Sequence, residues 1–124
     1  MLTGTISNAL INLHDLNYLI LENNLFTGTL VNGMDQISRL QYIDFGDNIF
    51  TGTIPPDITN LSELEYLHLY RNYLTGTIPT HINRLKKLEN LKLFSNKLTG
   101  AIPLSLGELP NIELLLLQSN KLSG

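Results

Sequence analysis

The 124-residue chain contains no cysteine and no tryptophan, and only 15% of it is charged. Without cysteine it has neither disulfides nor thiolate metal sites, although a cysteine-free chain is compatible with any redox compartment. No apolar run reaches the roughly 18–20 residues that a membrane span needs. The stretch Ile112–Leu117 is only a short apolar segment. The start, Met1-Leu2-Thr3-Gly4, has no basic residue and no long apolar core, so no signal peptide is legible. The net charge of −3 gives no reason to expect nucleic acid, even though six of the eight basic residues fall between Arg71 and Lys97. What remains is 43% hydrophobic, enough to fold, in a length that suits one core and not two.

What the chain does have is a period. Asparagine recurs at Asn24, Asn48, Asn72, Asn96 and Asn120, a constant step of 24 residues. Gly4, Gly28, Gly52, Gly76, Gly100 and Gly124 keep the same step, and Pro55, Pro79 and Pro103 occupy one further column. One full unit places apolar residues at Leu61, Leu64, Leu67, Leu69, Leu74, Ile78 and Ile82. Stepping by 24 from these reaches 36 positions, every one Leu, Ile, Phe or Met. A column that admits no polar residue is a buried column. Within a unit, Leu67-His68-Leu69 alternates with the period of a strand that buries one face. Leu19–Leu21, Ile43–Phe45, Leu91–Leu93 and Leu115–Leu117 take the same place.

Strands in successive coils must run parallel, because each coil returns to its start, and stacking then buries what no unit buries alone. The expectation is an α/β solenoid, mostly strand and loop with short helical or 3₁₀ turns. Five strands are expected near 18–22, 42–46, 66–70, 90–94 and 114–118. A partial repeat, 1–12, precedes units that begin at 13, 37, 61, 85 and 109, all in one domain. The asparagines are expected to satisfy backbone groups that the bend after each strand leaves unpaired. Thr-Gly supplies a residue free of Cβ constraints where the coil is tight.

The string Leu85-x-x-Leu88-x-x-Leu91-x-Leu93-x-x-Asn96-x-Leu98-Thr99-Gly100-x-Ile102-Pro103 closely resembles the plant-specific leucine-rich repeat. That repeat occurs in ectodomains of plant receptor-like kinases, receptor-like proteins and polygalacturonase inhibitors, and the resemblance covers the whole chain. It implies an arc with the parallel sheet on its concave side and a second short sheet from the Gly-x-Ile-Pro segment. It also implies a site outside the cell, at the plasma membrane or cell wall. Ser7 and Val31 stand where later units have proline, so the second sheet should be less regular there. Family members carry cysteine-containing caps and this chain has none, which suggests a segment of something longer. Any membrane anchor would then lie in segments not in this chain.

The polar columns beside the strand core become the candidate binding face. Tyr42, Tyr66, His68, Tyr70, Arg71, Lys92 and Phe94 form its densest aromatic and charged group. Tyr and Arg are frequent interface anchors, so a peptide, protein or co-receptor should contact Tyr66, Tyr70 and Arg71, with Arg71 pairing a carboxylate of the ligand. β-propensity alone also favours tyrosine on a sheet. Glu65, Glu89 and Glu113 stack in one column, as a solvated face or as a site for a basic peptide or a divalent cation. His14, His68 and His81 lie in three different columns and give no metal spacing. No nucleophile completes a triad, so an enzyme is not expected, nor any cofactor. Asn60-Leu61-Ser62 is the one glycosylation sequon. The function read from this is a protein- or peptide-binding module of a receptor-like ectodomain. The alternatives are an inhibitor of a cell-wall glycan hydrolase and a scaffold with no ligand of its own.

Overall fold

The computed structural model describes residues 1–124. Its first sheet has five parallel strands in sequence order: β2 (Tyr18–Ile20), β4 (Tyr42–Asp44), β5 (Tyr66–His68), β6 (Asn90–Lys92) and β7 (Leu114–Leu116). The register steps by 24 throughout, with Tyr42 beside Tyr66 and Ile43 beside Leu67. Between strands lie five 3₁₀ turns, the longest of five residues, at Asn8–Asn12, Pro56–Asn60 and Leu104–Glu108. This is the expected leucine-rich-repeat solenoid. The strands are three residues long rather than five. Just beyond each strand the ladder still holds (Leu21 N–H donates to Asp44 O at 2.7 Å, Asn23 N–H to Gly46 O at 3.0 Å). Then Asn23, Asp47, Arg71, Ser95 and Ser119 turn the chain with φ between 50° and 59°. Left-handed φ is uncommon outside glycine, and repeating it in every coil fixes where each strand stops.

Each asparagine of the period bridges two coils. Asn72 Oδ1 accepts from Phe50 N–H at 3.0 Å, while its Nδ2 donates to Phe45 O at 2.9 Å, Tyr70 O at 3.1 Å and Leu69 O at 3.3 Å. Asn48, Asn96 and Asn120 repeat the link to the preceding coil. Asn24 keeps only the bonds to Leu21 O and Glu22 O, and the bond from Leu2 N–H.

Of the 36 apolar column positions, those from Leu30 to Leu98 are all buried and form one continuous core. Leu2, Leu13 and Leu115 at the two ends are exposed, because no coil stacks on them. After the bend, a second ladder carries β1 (Thr3–Gly4) and β3 (Leu25–Phe26), paired in parallel, followed by isolated bridges such as Thr29–Thr51 and Thr53–Thr75. This second ladder uses the Leu-Thr-Gly-Thr backbone upstream of the Ile-Pro residues. Its bonds repeat alike in every coil (Thr27 N–H to Gly4 O at 2.8 Å, Thr75 N–H to Gly52 O at 2.8 Å), so the units without proline are no less regular, contrary to the expectation for Ser7 and Val31. The pairing sits before the proline column, so that column does not govern it. Ser7 instead caps the first 3₁₀ turn (Ala9 N–H to Ser7 Oγ, 3.1 Å), and Val31 is buried.

Candidate functional site

The register of the first sheet stacks like positions, and the aromatic residues form two ladders. Tyr18, Tyr42 and Tyr66 run across three coils, with ring centroids 6.4 and 5.0 Å apart. Tyr70 and Phe94 stack nearly parallel, 5.0 Å apart at 8°. Tyr42, Tyr66, Tyr70 and Phe94 are half-buried, so each shows a partner only part of its ring.

His68, read from sequence as part of the open face, is not exposed on it. His68 is 5% exposed and Asp44 beside it 4%. Asp44 Oδ1 accepts from Gly46 N–H at 3.0 Å, and its Oδ2 lies 3.3 Å from His68 Nδ1. The rings of Tyr42 (5.3 Å, edge-on), Tyr66 (6.2 Å, edge-on) and Tyr70 (6.2 Å) enclose the imidazole. Its Nε2 is buried with no hydrogen-bond partner. His68 is thus a buried residue beneath the face, because the flanking columns are aromatic at these coils and close over it. Where a flanking column is small or at an end, the same position stays open, as at Ile20.

Tyr70 reaches furthest. Its hydroxyl donates to Glu22 Oε2 at 2.9 Å, two coils away. The coil it crosses offers Gly46, where an added Cβ would lie 2.3–2.6 Å from ring atoms of Tyr70. Burial and the Glu22 bond, with Asp44 and Asp47 nearby, push the Tyr70 hydroxyl far above its usual range. The Tyr66 hydroxyl donates to Glu89 Oε2 at 3.2 Å, which raises its pKa, and burial raises that of Tyr42. Neither Glu22 nor Gly46 was singled out from sequence. The signal was a lone glycine in the column Glu22, Gly46, Tyr70, Phe94, Gln118, opposite a residue long enough to cross it. Replacing Gly46 by Ala is expected to cost about 1–3 kcal/mol, as overpacking does. The displaced Tyr70 should also lose its bond to Glu22, read as a lower tyrosine pKa in an ultraviolet pH titration. An unchanged titration would contradict the crossing.

Arg71 is not free either. Its guanidinium lies 3.6 Å from Asp47 Oδ2 and 5.8 Å from the Phe94 ring centre, so a carboxylate within the chain already holds the residue expected to pair one from a ligand. Lys92 is half-buried and pairs with no carboxylate. Asn60 is exposed, outside this sheet; its Nδ2 donates to Asp35 Oδ2 at 3.2 Å and its Oδ1 accepts from Arg84 at 3.4 Å. No group of three or more His, Asp or Glu residues is placed to hold a metal ion. The three clefts of the molecule lie elsewhere, and the face is open.

Family models described as leucine rich repeat match residues 39–61 and 62–122. No curated protein matches the chain. Solved structures do. A plant peptide hormone receptor, RGFR1, in complex with RGF2, is 35% identical and superposes with a TM-score of 0.98 over 100% of this chain and 20% of its own. The Arabidopsis receptor kinase HAESA, in complex with the peptide hormone IDA and the co-receptor SERK1, is 32% identical, with a TM-score of 0.94 over 98% of this chain and 20% of its own. The ectodomain of the receptor kinase SOBIR1 from Arabidopsis thaliana is 30% identical, with a TM-score of 0.86 over 97% of this chain and 65% of its own. The chain therefore spans about a fifth of the two hormone-bound receptors. No helix is long and apolar enough to cross a membrane.

Proposed function

The chain belongs to the leucine-rich repeat family, and from that premise we propose that it is a binding module, not an enzyme, that holds a peptide or protein partner on its first sheet. Its place would be a receptor-like ectodomain outside the cell. The observation that carries this reading is the pair of aromatic ladders, Tyr18–Tyr42–Tyr66 and Tyr70–Phe94, on an open face without a pocket. Half-exposed tyrosines offer apolar area with a polar rim and lose little entropy on binding. Receptors solved with RGF2 and with IDA and SERK1 support a peptide or co-receptor as the class of partner. Tyr42, Tyr66, Tyr70, Phe94, Arg71 and Lys92 are the contact residues, with His68 beneath them.

Panning the chain against a random-peptide display library tests this. Peptides that bind should lose about 30-fold in affinity to a Tyr66→Ala variant, one aromatic anchor being removed. Tyr70 is left in place because it roofs Asp44 and His68. The variant's melting temperature should fall by only a few degrees. Peptides that bind wild type and variant alike would place the contact elsewhere.

A further inference from the structure

Charge is divided unevenly over the molecule. The segments that form the first sheet and its bends, 17–23, 41–47, 65–71, 89–95 and 113–119, hold six carboxylates: Glu22, Asp44, Asp47, Glu65, Glu89 and Glu113. They hold two cations, Arg71 and Lys92. The rest of the chain has five carboxylates and six cations, so the whole negative balance of −3 comes from the candidate face. Arg71 is moreover taken up by Asp47 and Phe94, which leaves Lys92 as the unpaired cation there.

The carboxylates are arranged as two rails. On one side of the aromatic strip, Glu89 N–H donates to Glu65 O and Glu113 N–H to Glu89 O. The three side chains therefore repeat at the strand spacing of about 4.8 Å. Like charges at that separation are destabilising. Only Glu89 has a partner in the chain, the Tyr66 hydroxyl; Glu65 and Glu113 have none. On the other side stand Glu22 and Asp47, beside the Tyr70 hydroxyl.

A second observation points the same way. Beneath the strip, His68 Nδ1 lies 3.3 Å from the Asp44 carboxylate, and its Nε2 is buried without a partner in the chain. The Glu65 and Glu113 carboxylates at the surface and the Asp44 carboxylate beneath it all favour a positive charge brought close to the face.

Resting on the binding reading above, we infer that the partner segment is a basic peptide, with lysine or arginine interleaved among apolar residues. The apolar residues cover the tyrosine strip, and the cations meet the rails and relieve the glutamate column. This reverses the sign expected from Arg71 in the sequence.

The library peptides whose binding depends on Tyr66 are sequenced, and one is synthesised for titration. They should carry net positive charge, and their affinity should fall as salt rises. Glu65→Gln and Glu113→Gln, at carboxylates with no partner in the chain, should each weaken binding about twofold to fivefold. Face-dependent peptides that are neutral or acidic overturn the inference and leave the binding reading standing, and so does affinity unmoved by salt and by both glutamine variants. If no peptide depends on the face, both readings fall.

Discussion

Replacing Leu67 by alanine is expected to destabilise the chain by about 2–5 kcal/mol, the range for truncating a fully buried leucine. Leu67 lies at the centre of the stack, is 1% exposed, and its strand pairs with a neighbour on both sides. The cavity cannot collapse easily, because the coils above and below are held at strand distance by backbone bonds. Leu115 occupies the same position of the repeat two coils on, yet is 41% exposed and has a strand on one side only. Leu115→Ala should therefore cost about 1 kcal/mol, less apolar area being lost from burial. Denaturant unfolding of the two variants measures the difference. Equal losses would mean that the apolar columns do not form one stacked core whose centre is protected by its neighbours.

Replacing Asn72 by alanine should cost about 3 kcal/mol, at the upper end of what leaving a buried polar group unpaired costs. The substitution strands the Phe50 N–H of the preceding coil, leaves the Phe45 carbonyl with only its longer bond from Asn48, and loosens the bend at Leu69 and Tyr70. Water does not easily replace these bonds, since Asn72 is 6% exposed. Asn90 is the control. It lies half-buried in β6 with no side-chain hydrogen bond, and Asn90→Ala should cost less than about 0.5 kcal/mol. Similar shifts in the midpoints of the two variants would contradict the bridging role of the Asn24–Asn120 column.

The period of 24 settled a great deal before any coordinates. An unbroken apolar column in stacked coils has nowhere to be but the core, and Leu-x-Leu followed five residues later by asparagine marks strand and bend. The five strands and the short 3₁₀ turns were legible because each depends on contacts that recur identically in every coil. The period also named the neighbours on the face: Tyr42 beside Tyr66, Tyr70 beside Phe94. It did not say where their side chains go. Asp44 and His68 share a column with the open Ile20 and are buried because of the bulk of residues in the adjacent columns, which no single column reveals. Tyr70 spans two coils because Gly46 leaves a gap, and Arg71 turns to Asp47, the residue at its own position one coil back. Repetition determines which residues meet; rotamers, and the non-repeating residues around them, decide which of those meetings are buried, bonded or left open to a partner. The solenoid was therefore in the sequence, and which side chains stay open on its first sheet was decided only by packing.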